Sequence, residues 1–470
     1  MRPLAAALLL VGLVIAGAHA DEGELRLPPI ERVTFDNGLR VIVGEDHELP
    51  LVQVYLLIGA GASQDAPGKG GLAALVAATL TRGAGERPAE ELARAIESLG
   101  GAITASAGRD GTIVDAEFLA EDFDAGLGLL NDVVLVPRFE DDEVRRARDE
   151  QLAAIRAGRE NPSTVAGECF DAWLYGDHPY GRPVMGRPTT VQTLGPADVR
   201  AFYERWYRPN NTILVLFGDV AAKDAIAKLQ ASYGAWEQRP DAVPARPGVP
   251  PSVEKPRLLL VDDPASTQTQ IRFGNIAMPR NDPARLPASV GNTILGGGFT
   301  SRLVEELRVK RSLTYGAWSA FDMRLTTGSF QVGTFTKSAT TLETLKLAIE
   351  VVENFRTGGP TPEELTKAKA YLRGQFPLAL ETAEAIAARL AELEFYGLPK
   401  DDLTTYRSRV AAVGEADVET TAEKWMPPAD HLAIAVVGKA SEIREPLEGT
   451  YGALRVLTAE ECASLTEPVR

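Results

Sequence analysis

The chain has 470 residues, 45% of them hydrophobic and 24% charged, and 49 basic against 65 acidic side chains give a net charge of -16. The length exceeds one ordinary core, so at least two domains are expected. The acidic balance argues against nucleic acid and anionic membrane surfaces as partners and favours neutral or basic peptides.

The N-terminus pairs Arg2 with an apolar run from Leu4 to Gly17 and ends in Ala18-His19-Ala20, the pattern of a secretory signal cleaved before Asp21. Residues 1–20 are read as a signal peptide and the mature protein as exported, periplasmic in a Gram-negative source. The run is too short for a comfortable membrane span, and no later segment offers about eighteen uninterrupted apolar residues. Cys169 and Cys462 are the only cysteines; one long-range disulfide and two separate thiols both stand as readings. Beyond the signal the histidines are His47, His178 and His431, none with another His within reach on one helical turn.

Leu39–Val43 and Leu51–Ile58 alternate as two paired strands about the polar stretch from Glu45 to Pro50. The small and aliphatic residues from Gly70 to Leu80 predict a buried helix, and Glu90–Leu99 a second, closed by Gly100-Gly101. Two strands follow over Ile103–Phe118, about the turn Gly108-Arg109-Asp110-Gly111. Phe123–Val134 and Asp141–Ala157 are helices separated by Pro137, the latter ahead of Asn161-Pro162. His178-Pro179-Tyr180-Gly181 opens a loop; a helix runs from Gly195-Pro196 through Trp206, and the apolar strand Ile213–Phe217 closes this half. Six prolines between Pro240 and Pro256 cannot continue a helix or a central strand. The expected domains are therefore 21–239 and 257–470, joined by a linker over 240–256.

The second half repeats the first. Leu258–Val261, Thr267–Phe273, Gly328–Phe335 and Leu432–Gly438 read as strands, and Ser301–Val309, Leu342–Phe355 and Pro362–Phe376 as helices. Asp142-Glu143-Val144 lines up with Glu363-Glu364-Leu365 at an offset of 221, and Trp206 with Trp425 at 219. Such offsets mark a duplicated α+β unit, each copy a mostly antiparallel sheet packed with helices.

The stretch Asp65, Gly68, Gly70-Gly71-Leu72-Ala73, with Leu80 and Arg82-Gly83 beyond it, resembles the active-site helix of the pitrilysin/insulinase family of zinc peptidases. Active members carry there the inverted motif H-x-x-E-H, two zinc ligands and a general base, with a third ligand, a Glu, about seventy-five residues on. The matching positions in this chain are Ala74, Ala77, Ala78 and Ala154. A methyl group offers neither a lone pair nor a base, so the chain is expected to bind no metal and to carry no cofactor of its own. The resemblance runs from about Glu31 to Glu442 and is similar to the small-subunit branch, which includes the mitochondrial processing peptidases. In that branch two chains face each other across a chamber.

The same resemblance implies roles elsewhere. In Ser301-Arg302-Leu303-Val304-Glu305-Glu306-Leu307-Arg308, continuing to Tyr315, Arg308 and Tyr315 occupy the positions that hold substrate backbone across from the zinc, as a charge-assisted donor and an oxyanion donor. Ile103-Thr104-Ala105-Ser106-Ala107 corresponds to the edge strand on which members lay an extended substrate by strand addition. Gly296-Gly297-Gly298 lacks the Gly-Lys-Ser/Thr of a phosphate loop and reads as a turn. His178 stands far from any second ligand and reads as structural.

The function expected is a non-catalytic, substrate-binding subunit of an exported heterodimeric zinc metallopeptidase. Its partner would be a homologous chain bearing H-x-x-E-H and the zinc, and its substrate a peptide. The alternative is a peptide-binding or scaffold protein of the same fold without peptidase activity. An independent enzyme has little behind it, since no G-x-S-x-G occurs and neither Cys has a His nearby in sequence.

Overall fold

The computed structural model describes residues 26–462 and 465. The signal peptide read over residues 1–20 lies outside them. No helix among the described residues is long and apolar enough to cross a membrane.

Two six-stranded sheets form the frame. The first contains β1 (Ile30–Thr34), β2 (Arg40–Glu45), β3 (Leu51–Ile58), β4 (Ala102–Ala107), β5 (Thr112–Leu119) and β6 (Thr212–Gly218) in the order β1-β2-β6-β3-β5-β4. The second contains β7 (Arg257–Asp262), β8 (Gln268–Ala277), β9 (Ala317–Met323), β10 (Gly328–Lys337), β11 (Ala433–Gly438) and β12 (Ala453–Thr458) in the order β12-β7-β11-β8-β10-β9. Both sheets are mostly antiparallel, with parallel pairing of β2 with β6 and of β7 with β11 and β12. The duplicated α+β architecture expected from the sequence is present.

The expected pairing of β2 with β3 is not. β6 lies between them, parallel to β2 and antiparallel to β3. The connection through Asp46 to Pro50 is not a two-residue turn, and β6, buried along its whole length, offers both neighbours an apolar partner. The segment Ser301–Val309 also departs from a plain helix. Arg302–Val304 is α-helical, Glu305–Lys310 is π-helical, and a second π turn covers Thr293–Gly297, where the glycine turn was expected.

Central strands bury both faces. Val41, Val43, Val54, Leu56, Leu214 and Leu216 point into the core formed with the first half's own helices, whereas Ile42, Tyr55, Leu57, Ile213, Val215 and Phe217 face the other way. That second face is covered by the helix Ala383–Tyr396 from the second half, through Ile386, Ala387, Leu390 and Leu393. The exchange is reciprocal. The helix Pro162–Tyr175, from the first half, packs Val165, Ala166, Cys169 and Phe170 with Leu259, Val261, Ala435 and Val437 of the second sheet. These two crossing helices stand in equivalent places of the repeat, Pro162 and Ala383 sharing the offset of the helices before them. Neither is among the elements read from the sequence.

Cys169 and Cys462 form a disulfide, which ties the first crossing helix to the chain's C-terminal segment and decides between the two readings. The linker is pinned where Asn275 receives the Val253 N–H at 2.9 Å and donates to the Val253 carbonyl at 2.9 Å.

Leu390→Ala should cost about 2–5 kcal/mol, the usual range for emptying a buried leucine site. Because Leu390 supports the other half's sheet, hydrogen exchange should accelerate in Ile213–Phe217 before it changes in Ala433–Val437. The reverse order would disprove the reciprocal cover.

Candidate functional site

The alanine-bearing helix runs Leu72–Leu80, and its start is held from several sides. Gly71 adopts φ +94°, and a Cβ there would lie 2.6 Å from the Met185 carbonyl oxygen, so the position requires glycine. The Asp65 carboxylate receives the Gly71 and Ala73 N–H groups at 2.8 and 2.9 Å, satisfying donors that a helix start leaves free. Gln151, buried on the helix Asp141–Arg159, donates to the Gly71 carbonyl at 3.0 Å and to the Met185 carbonyl at 2.7 Å. Thr190 donates to the Gly70 carbonyl at 2.7 Å.

Within this held frame the four positions carry only methyl groups. Ala74 and Ala77 are buried, and Ala78 and Ala154 are exposed. One turn beyond Ala78, Arg82 donates to the Ala78 carbonyl and pairs with Glu150, one turn before Ala154, at 2.5 Å. This ion pair links the two helices whose facing residues would carry the metal ligands in an active site, and its proximity lowers the Glu150 pKa. Exposed pairs of this kind contribute little stability. The donor set does not fit zinc, and among the described residues no group of three or more His, Cys, Asp or Glu side chains could hold a metal ion.

The expected peptide strand is β4, and it lies at the edge of the first sheet. Ile103 turns inward and is buried; Thr104 and Ser106 are exposed, with Ala105 and Ala107 partly covered. Its free edge leaves backbone groups available for strand addition.

Arg308 and Tyr315 sit on the second half. Ser312, at φ 54°, makes the left-handed reversal after the π turn, and the Leu313 N–H bonds back to the Leu307 carbonyl at 2.8 Å. The chain thus returns Tyr315 to Arg308, whose guanidinium carbon lies 4.6 Å from the Tyr315 ring centroid and 5.0 Å from that of Phe299. Tyr315 is 76% exposed. Sequence reasoning paired Arg308 with Tyr315 but missed Phe299; an aromatic placed directly after three glycines was the available signal. His178 makes a structural contact, its Nε2 lying 2.7 Å from the Gly248 carbonyl.

Two family models match the chain, and they meet inside its first half. Residues 40–188 match the family model described as insulinase (peptidase family M16), and residues 193–372 match the one described as the peptidase M16 inactive domain. An uncharacterized zinc protease of Mycobacterium tuberculosis strain H37Rv is 30% identical over 370 residues, covering 78% of this chain and 84% of the relative. The chain belongs to peptidase family M16.

Another relative, named a non-peptidase homolog, comes from Helicobacter pylori and is 26% identical over 366 residues, covering 76% of this chain and 82% of its own. A crystal structure of a peptidase M16 inactive domain from Pseudomonas fluorescens superposes with a TM-score of 0.82 at 28% identity, covering 87% of this chain and 98% of that one. A Helicobacter pylori protease structure, 21% identical with a TM-score of 0.81 over 87% of this chain and all of its own, shares the fold.

Burial raises the Asp65 carboxyl to about 7 from its ordinary 3.8, against the pull of the Ala73 and Gly71 N–H bonds and of Arg182. An acid whose folded pKa is raised holds a proton that the unfolded chain has lost, so this contribution to stability falls as pH rises from about 4 to about 7. Asp65→Asn should remove that part of the slope, read as urea midpoints across the window. An unchanged slope in the variant would assign the pH dependence to other groups.

Proposed function

We propose that this M16 chain is the non-catalytic, substrate-binding subunit of an exported two-chain zinc metallopeptidase acting on peptides. The observation that carries the reading is the Arg308–Tyr315 pair. It is assembled by a π turn and a left-handed residue, and Tyr315 is 76% exposed, so its hydroxyl and ring are presented outward instead of serving the core. Backbone in a sparsely populated conformation persists where its surroundings over-determine it, and such sites cluster at functional positions. The alanines at 74, 77, 78 and 154 make the complementary argument: the frame around the helix start is kept while ligands and base are gone.

In this reading the homologous partner, bearing H-x-x-E-H, supplies the zinc and the base, which activate the attacking water. This chain's own residues bind and orient. Arg308 donates charge-assisted hydrogen bonds to a substrate carbonyl. The Tyr315 hydroxyl donates a hydrogen bond to the oxygen on which negative charge develops. The edge of β4, residues 103–107, is the second place where an extended peptide can add its backbone bonds.

The test is co-purification from the native source, followed by elemental analysis and peptide cleavage by the complex and the separated chains. Zinc and activity are expected only where the H-x-x-E-H chain is present. In the reconstituted complex Tyr315→Phe should lower kcat on the order of 10²-fold with KM less affected, as for a lost oxyanion donor. Arg308→Ala should raise KM as well. Unchanged steady-state kinetics in both variants, with assembly intact by size exclusion, would leave this chain a structural wall and favour the scaffold reading.

A further inference from the structure

We infer that the cavity between Phe299 and Tyr371 is a side-chain subsite for a large apolar, preferentially aromatic residue of a bound peptide. The inference rests on the peptide-binding reading of Arg308 and Tyr315 and adds to it which peptides are preferred.

The local backbone is unusual on both sides of this cavity. π turns are rare and are found frequently at functional sites, and two of them, Thr293–Gly297 and Glu305–Lys310, bracket the short segment that carries Phe299. That segment lifts a phenylalanine to 78% exposure. An exposed phenylalanine contributes nothing to a core, and apolar surface clustered around a cavity marks binding more often than chance. Here the apolar surface is clustered: Tyr371, 50% exposed on the helix Pro362–Leu378, and Ala368 line the same cavity, with Ile294 and Lys367.

Size and surroundings select the occupant. The cavity has a volume of about 340 Å³, at the lower end of the range for small-ligand sites and enough for one aromatic side chain. A ring entering it would meet the Phe299 and Tyr371 rings, whose offset or edge-on contact adds to simple burial. The adjoining cavity of about 510 Å³ shares Thr300 and Glu364 with it and has Leu347 and Val351 in its lining, but it offers no aromatic ring and carries Glu305, Glu306, Lys310 and Glu350, whose charges an apolar side chain would have to desolvate. The wall between them is fixed, since Arg302 grips the Glu364 carboxylate with two bonds of 2.8 and 2.7 Å.

Position links this subsite to the candidate substrate contacts. The Phe299 ring lies 5.0 Å from the guanidinium carbon of Arg308, which lies 4.6 Å from the Tyr315 ring. An extended peptide advances about 3.3 Å per residue, so a chain whose carbonyl is held by Arg308 brings a side chain within one or two residues of the cavity mouth.

The experiment uses the purified full chain and two fluorescein-labelled nonapeptides of Gly, Ser and Lys, identical except for a central Phe or Ala, with binding followed by anisotropy. The Phe peptide should bind about tenfold more tightly, as partial burial of a phenyl ring provides. Phe299→Ala and Tyr371→Ala should each erase most of that preference; Tyr371→Ala should leave binding of the Ala peptide unchanged, whereas Phe299→Ala, which also removes a ring stacked on Arg308, should weaken both peptides. Their melting temperatures should stay at the wild-type value, because both side chains are exposed. Equal binding of the two peptides, or a preference that survives both substitutions, would overturn the subsite while leaving the peptide-binding reading in place. No binding of either peptide up to about 1 mM, a limit equivalent to some 4 kcal/mol, would overturn both.

Discussion

Each sheet of this molecule has two apolar faces and only one set of its own helices to cover them. Leaving the second face of a six-stranded sheet in water would expose residues such as Val215 and Phe217, or Ala435 and Val437, which are fully or almost fully buried. The chain resolves this by exchange, each half lending one helix to the other. Every other long-range feature depends on that arrangement. It holds the halves together, and it makes the strand order possible, since β6 and β11 can lie at the centre of their sheets only if both their faces are covered. Three polar contacts around Arg109 and Asp110 reinforce the junction, the last of them between the halves. Arg109 pairs with Asp171 on the first crossing helix, and Asp110 receives the Tyr180 hydroxyl at 2.6 Å and the Leu325 N–H of the second half at 3.0 Å.

Much of this plan can be read from the residues, and the part that cannot has a physical cause. The alanine helix, the hairpin β4–β5 and the repeat are local: small residues, turn glycines and a matched pair of amphipathic helices announce them. The crossing helices are not announced. In Pro162–Tyr175, Val165, Cys169, Phe170, Asp171, Trp173, Leu174 and Tyr175 are all buried and only the first turn is exposed, so the wide polar face that identifies a surface helix is reduced to a few residues. The place of β6 between β2 and β3 depends on a pairing more than 150 residues away in sequence. The π turns and the stacking of Arg308 between Phe299 and Tyr315 leave no periodic trace. Positions 74, 77, 78 and 154 are the opposite case, because an absent functional group is fully legible in sequence and needs no coordinates.

The degenerate helix shows how far architecture and chemistry can separate. Asp65, Gln151 and Thr190 still fix its start, and Arg82 with Glu150 still joins it to the neighbouring helix, although nothing between them can bind a metal or move a proton. These contacts preserve the shape of a wall. On the second half the investment runs the other way, with strained backbone and exposed aromatics around Arg308 and no role in packing.

The disulfide has a topological consequence. Cys169 belongs to the first half and Cys462 to the end of the second, 293 positions apart in sequence, with the linker inside that span. The covalent structure is therefore a closed ring over residues 169–462, with the strands β1 to β5 on the open arm that precedes it. A protease that cuts the proline-rich linker opens the ring without releasing either fragment, because the halves stay joined through sulfur and through the exchanged helices. Such nicked molecules would migrate as one species until reduced, and in an oxidising compartment a single cleavage in the linker would be a scar and not a separation.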